Sequence, residues 1–410
     1  RRDRRMSNFG TIYGYEVKKI LGRRLVWAVT AVCMLCVVLF TFADLTGKYY
    51  VDGAVADTHY HMFQVDQEYR HALSGRALDQ KLLAEVSEAY RTIPDTSERY
   101  TLTPEYETYA RPYSEIFHLV RRWTQGNFDA FREWEPDERA LYAARGETLE
   151  QIWRNLQLTD AEKAYWRGKE AETKTPLVYF YHEGYSKILS NGLNTVGILI
   201  LLAVCICMAG VFAEEHARRT DQLILSGAKG KSMVYWAKIA AGVSVSSALA
   251  LALSALVFGL VFAVYGAEGF AVSLRFSSYL WSSSEPISIG QACLTAYGIV
   301  LVTTAVVSAL MLVMSEVLHN SIAALTVGVG AIMAGMLARI PQQYRVAAQI
   351  WDWSPVRFLN AEYIFDSRTI PLAEHCLSAW QVVPVLYILA GIGAVVAGKF
   401  IYQRYQVSGR

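Results

Sequence analysis

The stretch that most constrains this chain runs from residue 191 to residue 262. Within it, residues 193–212 (LNTVGILILLAVCICMAGVF) carry no charge over twenty positions. That is the length a helix needs to cross the hydrocarbon core of a bilayer. Glu214, Glu215, His216, Arg218, Arg219 and Asp221 follow at once, and a second uncharged run covers residues 239–264. Lipid offers the backbone no hydrogen-bond partners, so such runs read as spanning helices. The elbow between them holds Arg218, Arg219, Lys229, Lys231 and Lys238. Basic residues collect on the inner side of a membrane, which predicts a cytosolic elbow.

Four further runs fit the same reading: 25–43, 292–314, 321–337 and 382–396. With 53% of its 410 residues hydrophobic, the chain is too apolar for an ordinary soluble domain. The predicted fold class is an all-α membrane protein with six transmembrane helices and both termini in the cytosol. Residues 1–46 form an interfacial helix and the first span, and residues 191–410 hold spans two to six. Residues 47–190 form a large, mainly helical extracytoplasmic domain between helices 1 and 2. The first run lacks a small-residue cleavage site and reads as a signal anchor.

The net charge of +2 hides an asymmetry, because residues 44–190 carry 25 acidic and 18 basic side chains. Helical periodicity punctuated by proline and glycine predicts helices at 59–73, 78–91, 104–123, 136–156 and 161–173 in this part. Its size suffices for an independent domain with its own core. Residues 315–320 read as a tight inner turn holding Glu316 and His319. Residues 338–381, rich in Trp, Phe and Tyr between prolines, read as short half-helices at the outer interface.

The predicted spans contain no Asp, Glu, Lys, Arg or His. Ion-coupled carriers keep such groups in the membrane, so a proton relay is not expected. The candidate translocation path is instead weakly polar: Asn194, Thr195, Ser247, Thr303 and Thr304. Ordinary interhelical packing is the alternative use of such groups. GAKGKS at 227–232 lacks the first glycine and the preceding strand of a phosphate-binding loop, so no nucleotide site is expected. Asp57, His59 and His61 alternate along a helix start and do not share a face there, so no metal site is expected. Cys293 and Cys376 alone fall near the predicted outer face, and a disulfide between them is left open. The others lie in spans, where cysteine packs as a small apolar residue. No nucleophile motif marks an enzyme.

Three elements together resemble the permease of an ATP-binding-cassette (ABC) type 2 transporter. Residues 15–21 (YEVKKIL) are similar to the interfacial helix of that family, with Tyr15, Glu16, Lys18 and Lys19 on it. Phe212-Ala213-Glu214-Glu215, then Arg219-Thr220, Leu223, Ser226 and Lys238, resemble its coupling loop, with Arg219 where glycine is usual. Ser354-Pro355-Val356-Arg357 resembles its outer Ser-Pro element. The resemblance covers residues 1–45 and 190–410; the outer domain has no counterpart in it.

The resemblance implies a permease without ATPase activity, paired with a second permease copy and two separate ATPase subunits that hold ATP and Mg. It implies a coupling loop of Glu214, Glu215, Arg218, Arg219, Thr220, Leu223, Gly227 and Lys231, and a multi-pass place in a bacterial plasma membrane among lipid. Neither a cofactor on this chain nor nucleic acid is expected. The cargo expected is amphipathic or hydrophobic: a peptide, antibiotic or lipid. The second reading is a membrane-anchored sensor or assembly factor whose outer domain binds an extracellular partner.

Overall fold

The computed structural model describes residues 2–51, 54–94, 100–126, 135–218, 220, 230–372 and 375–404. Helices α1 (Arg2–Leu21) and α2 (Arg24–Ala43) meet at a break, where Trp27 Nε1 donates to Leu21 O at 2.7 Å. An antiparallel hairpin follows, β1 (Lys48–Val51) with β2 (Ala54–Thr58). Then come α3 (His59–Ala72), α4 (Gln80–Arg91), α5 (Ser114–Thr124), α6 (Glu138–Asn155), α7 (Asp160–Ala171) and α8 (Glu183–Lys187). The rest of the chain supplies α9 (Leu193–Met208), α10 (Ala213–Ala217), α11 (Tyr235–Tyr265), α12 (Ile289–Leu318) and α13 (Ser321–Leu337). The short α14 (Arg345–Asp352) and α15 (Ala361–Ile364), the hairpin β3 (Ile370–Leu372) with β4 (His375–Leu377), and α16 (Ala379–Arg404) complete it.

Among the described residues, five helices are long and apolar enough to cross a membrane: Arg24–Ala43, Leu193–Ala217, Ser232–Tyr265, Ile289–Leu318 and Ala379–Arg404. They point to a membrane protein. The run predicted as the fifth span is α13, apolar but only 17 residues long. Helix α12 sits at the centre and packs against α9, α11, α13 and α16. Leu193, Val196 and Ile200 of α9, Val257 and Val261 of α11, and Ile289 and Val300 of α12 form the middle of the core.

Each of these five helices extends beyond its uncharged run, and buried charges sit in the added turns. Lys238 lies in the first turns of α11, and Glu316 lies in the last turn of α12 rather than in a loop. The predicted spans themselves stay uncharged, but the helices run past them to include both groups, which find buried partners. The stretch 104–123 is not one helix either. It breaks into short turns at Tyr106–Ala110 and Arg111–Tyr113 before α5. Pro112 cannot donate to an α-helical ladder. Arg111 is anchored sideways, to Asp66 at 2.8 Å, Glu107 at 2.6 Å and Met62 O at 3.2 Å.

The helices between β2 and α9 form a layer on the end of the bundle away from α1. Its core is continuous with that of the bundle: Leu82, Val86, Tyr90, Phe117 and Trp123 join Tyr179, Leu274 and Phe276 in one cluster. Buried ion pairs fix the layer to the segments below. Glu162, 2% exposed, accepts from Arg345 Nη2 at 2.6 Å and from Thr369 N at 2.9 Å. Arg145 donates to Trp281 O at 2.6 Å and Ser283 O at 3.2 Å, and Arg275 meets Glu170 at 3.1 Å. Burial would raise the Glu162 carboxyl; the hydrogen bonds from Thr159 and Arg345 outweigh it and hold it below the usual range. A second, separate cluster of Leu149, Trp153, Leu158 and Trp166 lies within the layer.

The aromatic segment after α13 does form short helices. Val356 packs against Gly335, where a Cβ would collide with its Cγ1, and Leu359 packs against Gly197. All six cysteines are free, so Cys293 and Cys376 are not bonded to each other; the Cys293 thiol donates to Tyr185 O at 3.5 Å.

Candidate functional site

The end of the bundle that carries α1 holds a compact charge cluster. It starts from a helix break. After Met208 the chain leaves α9, turns through Gly210, and re-enters helix as α10. The Ser315 hydroxyl, fully buried on α12, accepts from Phe212 N at 3.2 Å and Ala213 N at 3.0 Å, and donates to Ala209 O at 2.6 Å. It thereby satisfies two amides that the start of a helix leaves without an internal partner.

This break aims Glu215 inward. Lys238 Nζ, 0% exposed, donates to Glu215 Oε1 at 2.5 Å and to Glu16 Oε2 at 3.0 Å, and Lys19 Nζ also reaches Glu215. Phe212 lies under the Lys238 ammonium at 5.4 Å, a favourable cation–π geometry. Two carboxylates and two ammonium groups thus tie α1, α10 and α11 together. Outside this core, Arg23 meets Glu214 at 3.2 Å and donates to Gly210 O at 3.1 Å. Buried charges persist only when paired and hydrogen-bonded, and here they are. The pairing partners of Glu214 and Glu215 come from α1, its following turn and α11.

The predicted residues of α1 divide by face. Glu16 and Ile20 are buried, Tyr13 and Val17 pack on the core, and Tyr15, Lys18 and Lys19 are exposed. The inward face of α1 therefore rests on α11, and its outer face stays open. On the elbow, Arg218 and Thr220 are exposed, and Thr220 Oγ1 donates to Glu215 O at 3.4 Å. Arg219, Leu223 and Gly227 lie outside the described residues, as does the Lys231 side chain.

No family model, no curated protein and no solved structure matches the chain. The geometry therefore has to carry the functional argument by itself.

The five polar residues of the candidate path differ in burial and lie on three helices. Thr303 and Thr304 are fully buried on α12, Ser247 is half-buried on α11, and Asn194 and Thr195 are half-buried in the first turn of α9. One side-chain pair that does join two spans is Ser246 Oγ to Ser308 Oγ at 2.9 Å. It is an interhelical clasp of the kind that joins helices in a membrane.

Asp57 and His61 bond to each other at 2.8 Å across the start of α3, with Thr58 as its N-cap. A different trio has ligand spacing: His216 on α10, with Glu316 and His319 at the end of α12. Sequence reasoning missed Ser315, Glu316 and His319 because a loop was expected there. The only sequence signal was the closeness of Glu316 and His319 after an uncharged run.

Proposed function

We propose that this chain is the membrane-spanning subunit of an ATP-powered exporter of the ABC type 2 permease kind. It would cross the membrane six times, with α13 as the short fifth span and both termini in the cytosol. The layer between α2 and α9 would stand outside the cell. Two copies would assemble with two separate ATPase subunits, which hold ATP and Mg, in a bacterial plasma membrane. The cargo would be an amphipathic or hydrophobic molecule such as a peptide, an antibiotic or a lipid, consistent with spans whose middles carry no charge.

The observation that supports this reading most is the buried cluster Glu16–Lys238–Glu215. It ties the amphipathic α1, α10 and the start of α11 into one body. Force applied to such a body moves two spans together, whereas a solvated loop would absorb it. A pushed element transmits a signal only if its partner contacts differ between two states, as ATP-driven closure provides.

The test uses the full chain, tagged and purified in mild detergent from its own host. A stoichiometric ATPase with a phosphate-binding loop, identified by mass spectrometry, is the expected companion. Arg218→Glu on the exposed elbow should reduce that companion at least severalfold while the amount of chain in the membrane stays the same. A wild-type chain that brings no ATPase would overturn the proposal. An ATPase retained equally by the variant would remove Arg218 from the docking surface.

A further inference from the structure

The elbow is held on two sides. Glu215 faces α1 and α11, and the next residue, His216, faces the junction of α12 and α13. There His216 Nε2 lies 3.1 Å from Glu316 Oε2, with both side chains nearly out of solvent. His319 stands three residues beyond Glu316 at the left-handed C-cap of α12, with φ +53°. Its ring meets the His216 ring edge-on at 4.1 Å between centroids. One ligand atom from each of the three residues lies within 4.8 Å of the other two.

We propose that His216, Glu316 and His319 bind a divalent transition-metal ion of the zinc class and so fasten the elbow to the α12–α13 junction. The ligand set decides the class. Two imidazoles and one carboxylate suit zinc, cobalt or nickel, whereas magnesium and calcium take all-oxygen shells. A second observation points the same way. Glu316 is 1% exposed, and its Oε1 has no hydrogen-bond partner among the described residues. A buried carboxylate oxygen without a partner is costly, and a cation placed between the three side chains removes that cost. Metal bonds of about 2.0–2.1 Å in a tetrahedral shell set ligand atoms roughly 3.3 Å apart. The His216–Glu316 pair already lies near that spacing, and a His319 ring nitrogen is within 4.8 Å of both. A water molecule would complete the shell. The inference is independent of the transport reading; it requires only that α10 and α12 pack as described.

The experiment uses the purified full chain, carrying a tag free of histidine and stripped with chelator. Cobalt(II) is the probe because its visible bands report coordination. One cobalt per chain with the bands of a four- or five-coordinate site, displaced by zinc, is the expected result. Glu316→Gln keeps the shape of the side chain and should weaken cobalt binding at least a hundredfold. That exceeds the roughly 10–100-fold loss caused by changing a group that only supports a ligand. His319→Ala, at a half-buried position, should do the same with an unchanged unfolding profile. No bands at saturating cobalt would overturn the proposal and leave a hydrogen-bonded His216–Glu316 pair. Binding equal in both variants, or a thiolate charge-transfer band, would overturn it by placing the ion at a cysteine.

Discussion

Lys238 is the residue on which the elbow end depends most. It has no exposure and faces two carboxylates, one from α1 and one from α10. Removing one partner from a buried pair leaves uncompensated charge, at about 3–5 kcal/mol. Lys238→Met should therefore destabilise the detergent-purified chain by about 3 kcal/mol, the low end, because Lys19 still faces Glu215. The triple change Glu16→Gln, Glu215→Gln, Lys238→Met should recover most of that loss. Denaturant unfolding of the variants checks both; a triple variant as unstable as the single one would show that shape, not charge, matters there. Glu162 governs the opposite end. Its carboxyl is held below the usual range, so its contribution is complete above the unfolded pKa of about 4.3 and fades as pH falls through the lower folded value. Wild type should exceed Glu162→Gln by roughly 2 kcal/mol at pH 7, as expected for hydrogen bonds to a charged group, and the gap should shrink steadily below about pH 4. A gap independent of pH would assign the effect to packing alone.

Among the elements, the break between α9 and α10 is the one whose geometry the sequence concealed. Residues 193–212 read as one uninterrupted span, yet the helix ends at Met208 and its continuation is held by a hydroxyl from α12. Hydropathy reports burial and length, and those were legible: all five long spans fall on the uncharged runs. It does not report which distant serine completes a turn. The same limit explains Glu316. Charge suggested a loop, whereas a buried histidine from α10 allowed the helix to continue. The acidic pair and Lys238 were legible as members of one site, but their partners on α1 were not, since nothing local couples residue 16 to residue 238. Ser315→Ala should leave two buried amides without partners, at about 1–3 kcal/mol each before relaxation. Amide exchange should then quicken across residues 209–217 and stay slow in α9. Equal protection across both stretches would show that the hydroxyl is dispensable to the break.

At the scale of the whole molecule, the two charge-bearing ends have to lie on opposite sides of a bilayer if the long helices cross it. The layer that contains Glu162 packs on the ends of the spans away from α1, and the Lys238 cluster closes the other ends. On the proposed reading, the orientation is the one that puts the collected bases in the cytosol. Arg23, Arg24, Arg218, Lys238, Lys399 and Arg404 all lie at the cluster end, and such residues are retained on the cytosolic side. Two exposed alanines report each side: Ala143 on α6 and Ala217 at the end of α10. Cys33, Cys205, Cys207 and Cys293 are buried, so replacing Cys36 and Cys376 by serine gives a quiet background. On that background Ala143→Cys should react with an impermeant maleimide on intact cells. Ala217→Cys should react only once the membrane is opened. Labelling in the reverse order would invert the chain in the bilayer, put the elbow outside the cell, and remove the cytosolic ATPase from the argument altogether.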